Sequence, residues 1–228
     1  MPSRLIHYLI AEKINEQIEI ADRNRFVLGS LCPDMSSRED GSKNRTHYSE
    51  VHGAVKGGNW LTYVEQYKDK MEHDDLYLGI LCHLITDSVW FHEIMDREIR
   101  SKSKTKEERT EKYLLGYTDF HKLNYILIRE FGLTYNFVED HNIDFEGIHP
   151  EMYDDVVGGL YNDFFDEPES CKDDLKIYRY EITVPCIELC IKECMEAINA
   201  FRSGTELPAP EKYYVGDVSS VPRSVPLS

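Results

Sequence analysis

Residues 76–91 read LYLGILCHLITDSVWF, and the fold class that we predict follows from this segment. It is the longest apolar stretch of the chain, and His83 and Asp87 interrupt it. Because apolar residues occupy most of its circumference, we expect residues 74–100 to form one long helix through the middle of a domain. The stretch is shorter than the roughly 20 residues that a bilayer span requires, so no transmembrane segment is predicted.

The chain on either side of this segment shows the same helical period. Ile6, Ile10, Ile14 and Ile18 recur every four residues, and Ser3 can cap the helix that they form. Further helices are predicted over residues 23–31, 60–71 and 119–131, from Pro150 onward, and from residue 183 to Gly204. A polar loop is expected over residues 35–45 and a charged, solvated connection over residues 101–108.

Alternation of polar and apolar residues, which is typical of strands, is nearly absent from the chain. We therefore predict an all-α fold, a single-domain multi-helix bundle over residues 1–204. Four prolines and no helical period follow Gly204. Residues 205–228 are accordingly expected to form a loosely packed or disordered tail.

The net charge of the chain argues against strongly anionic macromolecular partners. The chain has 228 residues, with 26 Lys and Arg against 42 Asp and Glu, which gives a formal net charge of −16. A uniformly basic nucleic-acid groove and tight docking on anionic lipid are therefore unexpected, and we predict no stable nucleic-acid binding. The oligomeric state cannot be read from these features.

The cysteines and the N-terminus predict the compartment. Six cysteines show no disulfide-framework spacing, and residues 1–4 lack the apolar centre and cleavage site of a signal peptide. We expect a cytoplasmic protein with reduced thiols. Cys186, Cys190 and Cys194 form a stripe along the last helix, but the outer two are about 12 Å apart, so we interpret all three as core thiols.

His83 and Asp87 form a candidate metal site on the long helix. Positions four apart lie about 40° apart around a helix, so both side chains can reach one ion. Their apolar neighbours indicate burial, and a buried ionised aspartate is costly unless it is paired or bound to a metal. This pattern favours metal ligands over a hydrogen-bonded pair on the helix surface.

Three other residues are unremarkable singly but form an ordered set with this pair. His7 shares an apolar helix face, Asp34 follows Pro33 at a helix end, and His47 lies in a polar loop. The set comprises SRLIH at 3–7, LGSLCPD at 28–34, THY at 46–48 and GILCHLITD at 79–87. This order resembles the superfamily of zinc-dependent phospholipase C and single-strand-specific nucleases.

The resemblance implies an all-helical protein that binds up to three zinc ions. One ion would be held by Asp34, His47, His83 and Asp87, and Asp87 would bridge to a second ion that also takes His7. Oxygen and imidazole ligands without cysteine fit a catalytic zinc, although manganese or iron would tolerate them. Metal-activated water would attack phosphorus, and Asp34 is a possible proton acceptor by the same resemblance.

The chain departs from the family at the remaining ligands. Secreted members use the amine and carbonyl of a mature N-terminal tryptophan, where this chain has Met1. The family also uses a later histidine and an HxxxE pair. His92 would face away from His83 on an unbroken helix, and no HxxxE follows it. Asp119 is the nearest substitute, with His121 a weaker one, so one or two ions are expected rather than three.

These observations predict a metal-dependent hydrolase that uses metal-activated water on a phosphate ester, specifically a phosphodiester. Its substrate would be a small-molecule or lipid phosphoester. The alternative is a catalytically inactive helical binding or scaffolding module with a structural metal. A helical phosphohydrolase with an adjacent His-Asp dyad ranks last, because the pair that occurs, His73 and Asp74, lies at a helix start.

Overall fold

The computed structural model describes residues 1–166, 168 and 172–216. The α-helices are α1 (Arg4–Asn15), α2 (Arg23–Leu31), α3 (Ser42–Thr46), α4 (Trp60–Met71), α5 (Asp75–Trp90), α6 (Lys106–Phe131), α7 (Gly159–Phe165) and α8 (Tyr180–Ser203). Phe91–Arg100 and Asp154–Gly158 are π-helical, and Cys32–Asp34, Pro150–Met152, Lys172–Asp174 and Pro210–Tyr213 are 3-10 turns. The strands are β1 (Ser49–His52), β2 (Val55–Gly58) and β3 (Val215–Gly216). The all-α prediction is confirmed.

Helix α5 lies at the centre of the bundle. Every residue from Leu76 to Trp90 is buried, and α1, α2, α4 and α8 all pack against the helix. Its start is capped by the Asp74 side chain, which accepts the backbone N–H of Leu76. Within the described ranges, no helix is both long and apolar enough to cross a membrane.

Two glycines allow α2 and α5 to cross in backbone contact. A Cβ added at Gly79 would lie 2.0 Å from the carbonyl oxygen of Phe26, and one at Gly29 would lie 1.9 Å from the carbonyl oxygen of Leu76. No larger residue fits at either position without moving a helix. This close crossing brings the end of α2 next to the middle of α5, where His83 lies.

The central helix is not α-helical over its whole predicted length. After Trp90 it continues as a π-helix over Phe91–Arg100, a form that often occurs at functional sites. The rotation per residue therefore changes in this segment. His92 lies in it, with Nδ1 2.8 Å from Glu93 Oε1 and its ring 5.7 Å from that of Tyr213.

Three further boundaries differ from the sequence prediction. The predicted loop 35–45 contains the start of the short helix α3, and α8 begins at Tyr180. Helix α6 begins at Lys106, well before residue 119, and its N-cap is Thr105, whose hydroxyl accepts the N–H of Glu108. The early turns of α6 are charged and solvated, so they lack the apolar period that would have predicted them.

A small antiparallel sheet was also missed. Ser49 pairs with Gly58 and His52 with Val55 in the β1–β2 hairpin, and β3 adds to β2 through Lys56 and Val215. The hairpin strands are short and contain no buried residue. A strand without a buried face shows no polar–apolar alternation, so the pattern used to find strands is absent here.

The first part of the predicted tail packs against the domain. Tyr213 and Val215 are 7% and 3% exposed, and the indole N–H of Trp60 donates to the Pro208 carbonyl at 2.8 Å. Residues 205–216 therefore differ from the loosely packed segment that was expected. The remainder of that segment, residues 217–228, lies outside the described residues.

Candidate metal centre

Five of the predicted ligands meet in one buried cluster, which we call the metal centre. They are His7 from α1, Asp34 from the 3-10 turn after α2, His47 after α3, and His83 and Asp87 from α5. Two triads have ligand atoms within 4.8 Å of one another: His7, His83 and Asp87, and Asp34, His47 and His83. Four separate elements contribute, so the cluster exists only in the folded chain.

The distances place His83 and Asp87 between the other groups. Nε2 of His83 lies 3.2 Å from Nε2 of His47 and 3.7 Å from Asp87 Oδ2. His47 Nε2 also lies 3.4 Å from Asp87 Oδ2, and His7 Nε2 lies 3.4 Å from Asp87 Oδ1. The two oxygens of Asp87 thus face different histidines.

The hydrogen bonds of His83 and His47 set which nitrogen faces the centre. His83 Nδ1 donates to the Ser30 carbonyl at 2.8 Å, a contact that the α2–α5 crossing creates. His47 Nδ1 lies 2.9 Å from the hydroxyl of Thr46, which donates to the Pro33 carbonyl. With both Nδ1 atoms protonated, both Nε2 atoms present lone pairs towards each other, and a cation between them would relieve their repulsion.

Burial keeps His83 neutral. The ring is fully buried, and this desolvation lowers the pKa of His83 to about 3. The neutral ring retains its Nε2 lone pair at physiological pH, as a metal ligand must. The ring of His7 stacks on it at 4.1 Å between centroids, which holds both rings in place.

Asp87 shows that the residues fit a cation. Burial opposes its ionisation, but the surrounding histidines hold the pKa of the carboxyl at about 2, so it is an anion. Its two oxygens and His7 Nε2 are buried and have no hydrogen-bond partner among the described residues. A buried anion without hydrogen bonds costs several kcal/mol unless a cation compensates it, and ligands of this oxygen and imidazole type suit zinc.

Asp34 lies at the edge of the cluster, with its side chain 21% exposed. Its Oδ1 accepts from Lys43 Nζ at 2.6 Å and lies 3.4 Å from His47 Nε2. Burial opposes ionisation, but hydrogen bonding to His47 and the nearby cations hold the pKa of Asp34 well below its usual range. The side chain is therefore ionised and partly accessible to solvent. Sequence reasoning missed Lys43, because a lysine in a polar loop carries no distinguishing pattern.

The Met1 amine also lies near the centre. Burial lowers the pKa of this amine, and the charges of Asp87 and Asp34 oppose that effect. Met1, His47 and Asp87 all line a cleft of about 530 Å³. The metal centre thus opens onto a cavity of the size that holds small ligands.

Asp119 does not join the metal centre, contrary to the prediction. Its carboxylate accepts the backbone N–H groups of Lys176, Ile177 and Tyr178 at 2.6–3.1 Å. The residue lies within α6 rather than at its start, so its side chain is directed at the chain segment before α8. His121 is exposed and pairs with Asp166 at 3.2 Å. Neither residue belongs to a ligand triad among the described residues.

Comparison with known proteins identifies the family of the chain. Searches of curated proteins and of solved structures found no match. The family model described as zinc dependent phospholipase C matches residues 6–193, a range that contains all five clustered residues. The match covers most of the chain, and the chain therefore belongs to the zinc-dependent phospholipase C family.

Proposed function

We propose that the protein is a zinc-dependent hydrolase that cleaves a phosphodiester of a small molecule or a lipid. Membership of the family supports the chemistry at the level of a metal-dependent phosphoester hydrolase. The observation that carries the proposal is the Asp87 carboxylate, which is buried, ionised and without a hydrogen-bond partner among the described residues. A cytoplasmic location stays a prediction from the sequence.

The proposed ligands divide between two positions. His83 belongs to both triads, but its single Nε2 lone pair can serve one ion only. Asp87 has two oxygens that face different histidines, so it can serve both positions. We therefore assign Asp34, His47, His83 and Asp87 to one ion, and His7 with Asp87 to a second, which gives one or two ions per chain.

The catalytic roles follow from charge and exposure. When bound, zinc supplies Lewis-acid chemistry, polarising a phosphoryl oxygen and making water more acidic. Asp34 is ionised and its side chain is 21% exposed, and we assign it as the acceptor of the proton of the attacking water, as the family resemblance implies. The Lys43 ammonium, 2.6 Å from Asp34, can bind an anionic phosphoryl oxygen. His7, His47 and His83 hold their rings in orientations fixed by stacking and hydrogen bonds.

Metal content and turnover of matched aspartate variants test this proposal. We would measure zinc by mass spectrometry, and hydrolysis of bis(p-nitrophenyl) phosphate, in the wild type, Asp87→Asn and Asp119→Asn. We expect zinc in the wild type and in Asp119→Asn. Asp87→Asn should lose zinc, and its turnover should fall by more than about 100-fold, the upper cost of disturbing a residue that only supports a ligand.

The control has the same chemical change at another buried aspartate. If Asp87→Asn keeps its zinc, the assignment of the metal centre is wrong. Zinc in the wild type with no turnover of any phosphodiester would contradict the hydrolase and favour a binding or scaffolding module with a structural metal.

A further inference from the structure

A second cleft, of about 790 Å³, adjoins the metal centre. Arg38, Lys56 and Phe91 line both this cleft and the cavity that contains His47 and Asp87. The cations that line the second cleft are Arg38, Lys56, Arg100, Lys106 and Arg109. No Asp or Glu occurs among its described lining residues, although the chain as a whole carries a net charge of −16. We call this cavity the basic cleft.

Two cationic side chains of the basic cleft, Arg100 and Lys56, contact other parts of the fold. Arg100 is 6% exposed and donates to Asp96 and to the Gly216 carbonyl, both at 2.8 Å. The ring of Phe91 lies between Lys56 Nζ at 5.4 Å and Arg100 Cζ at 5.3 Å. Both Phe91 and Arg100 belong to the π-helical segment, so the change of helix type positions this wall.

One lining cation has an unused donor. Nε of Arg109 is buried and has no hydrogen-bond partner in the described part of the chain. Arg109 and Lys106 come from the first turns of α6, and both line the basic cleft together with residues of the π-helical segment. A guanidinium presents donors in a fork that matches the oxygens of a phosphate group. The donor and the excess of positive charge both indicate an anionic ligand.

We propose that the basic cleft binds a second phosphate group of the substrate, beyond the phosphodiester at the metal centre. This inference rests on the proposed function, because it specifies the substrate class of the same site. A phosphodiester that also carries a phosphate monoester would gain attraction from several cations in a cavity partly shielded from water. A headgroup that carries a positive charge would be repelled. The substrate is thus an organic ester with two or more phosphate groups.

Binding of matched esters to the purified full-length protein tests this proposal. The soluble pair is glycerophosphoinositol and its 4,5-bisphosphate, and the lipid pair is phosphatidylinositol and its 4,5-bisphosphate in phosphatidylcholine vesicles. We expect calorimetry to show that the bisphosphates bind at least about tenfold more tightly, with the preference falling as salt rises. Preference in the soluble pair assigns the second phosphate to a free ester, and preference on vesicles alone assigns it to a lipid headgroup. Equal affinity within both pairs would overturn the proposal.

Arginine variants show whether the preference arises in the basic cleft. Arg109→Gln and Arg38→Gln should each reduce it, and Arg38 is exposed, so its replacement does not threaten folding. Arg129→Gln is the matched control, because Arg129 is an exposed residue near the other end of α6. A preference that survives both cleft variants contradicts the proposal.

The binding readout separates this inference from the proposed function. Preferential binding that depends on Arg109, without turnover of any ester, would keep the basic cleft and reject the hydrolase. Turnover without any preference for the additional phosphates would keep the hydrolase and reject the basic cleft as a binding site.

Discussion

Asp87 and Asp119 are two buried aspartates on long helices, and their surroundings are opposite. They are 7% and 2% exposed, and in sequence each lies within four residues of a histidine. Asp119 accepts three backbone N–H groups, whereas both oxygens of Asp87 face histidines without a hydrogen bond among the described residues. Burial alone therefore does not identify a metal ligand, and the partners of the carboxylate decide its role.

The two residues also connect different parts of the molecule. Asp119 fastens the segment before α8 to the middle of α6, through Lys176, Ile177 and Tyr178. Asp87 faces groups from α1 and from the loop after α3. The first is a structural carboxylate and the second is, by our proposal, a metal ligand. Substitutions at the two aspartates separate these roles.

Replacement of Asp119 should have the largest effect on stability. Asp119→Ala leaves three backbone N–H groups, of which that of Tyr178 belongs to a buried residue, without this acceptor, so we expect the free energy of unfolding to fall by about 3–5 kcal/mol. Urea denaturation measures this change. Asp119→Asn keeps one acceptor, so its free energy of unfolding should lie between those of Asp119→Ala and the wild type. Zinc content should stay at the wild-type level, and loss of zinc would place Asp119 back among the ligands.

Removal of the metal should lower the free energy of unfolding only in a protein that keeps Asp87. Zinc should raise the free energy of unfolding of the wild type by about 2.7 kcal/mol when its free concentration is about 100 times the dissociation constant. Asp87→Asn should show no response to zinc or EDTA in a thermal melt. Because the lowered pKa of Asp87 means that the fold favours its anion over the neutral carboxyl, the metal-free variant should be less stable than the metal-free wild type at neutral pH. A metal-free variant that is more stable than the metal-free wild type would mean that the histidines do not compensate the Asp87 anion.

The close crossing of α2 and α5 offers a smaller test of the same centre. Gly79→Ala places a Cβ against the Phe26 carbonyl, so we expect a loss of about 1–3 kcal/mol and weaker zinc binding, since the bond from His83 to Ser30 must shift. Equilibrium unfolding and zinc titration measure both effects. Gly158→Ala is the matched control, because the added Cβ would have its nearest contact at 3.9 Å. Unchanged zinc affinity in Gly79→Ala would mean that the α2–α5 crossing does not position the metal centre.

The exposed histidine should matter least. His121→Ala removes a pair in which both side chains are more than half exposed, so we expect stability to change by less than about 0.5 kcal/mol. Zinc content and turnover should equal those of the wild type. A fall in zinc content would show that His121 reaches the metal centre in solution.

Much of the metal centre was accessible from sequence because its ligands lie on strongly patterned elements. The bounds of α2 and α4 agree with prediction, and Ser3 caps α1 as expected. The apolar period places His83 and Asp87 on a buried helix, and the ordered motifs associate Asp34, His47 and His7 with them. The hairpin and the early turns of α6 were missed because their exposed residues carry no period.

The basic cleft and the role of Asp119 depended on the tertiary structure. The cleft cations come from positions between 38 and 109, on segments with no common motif. The π-helical segment, which supplies three of the cleft's lining residues, has no proline or glycine within it. The three N–H groups bound by Asp119 lie more than 50 residues away in the chain.

The sequence by itself indicated the helical class, the central position of α5 and six candidate ligands, five of which meet there. Only the tertiary structure decided which buried carboxylate is already satisfied, which lacks a partner, and where positive charge collects in an acidic chain. The physical reason is the distance along the chain between the residues that interact. Hydrophobic periodicity is a property of neighbouring residues, whereas hydrogen-bond partners and local charge are set by residues that folding brings together from distant positions.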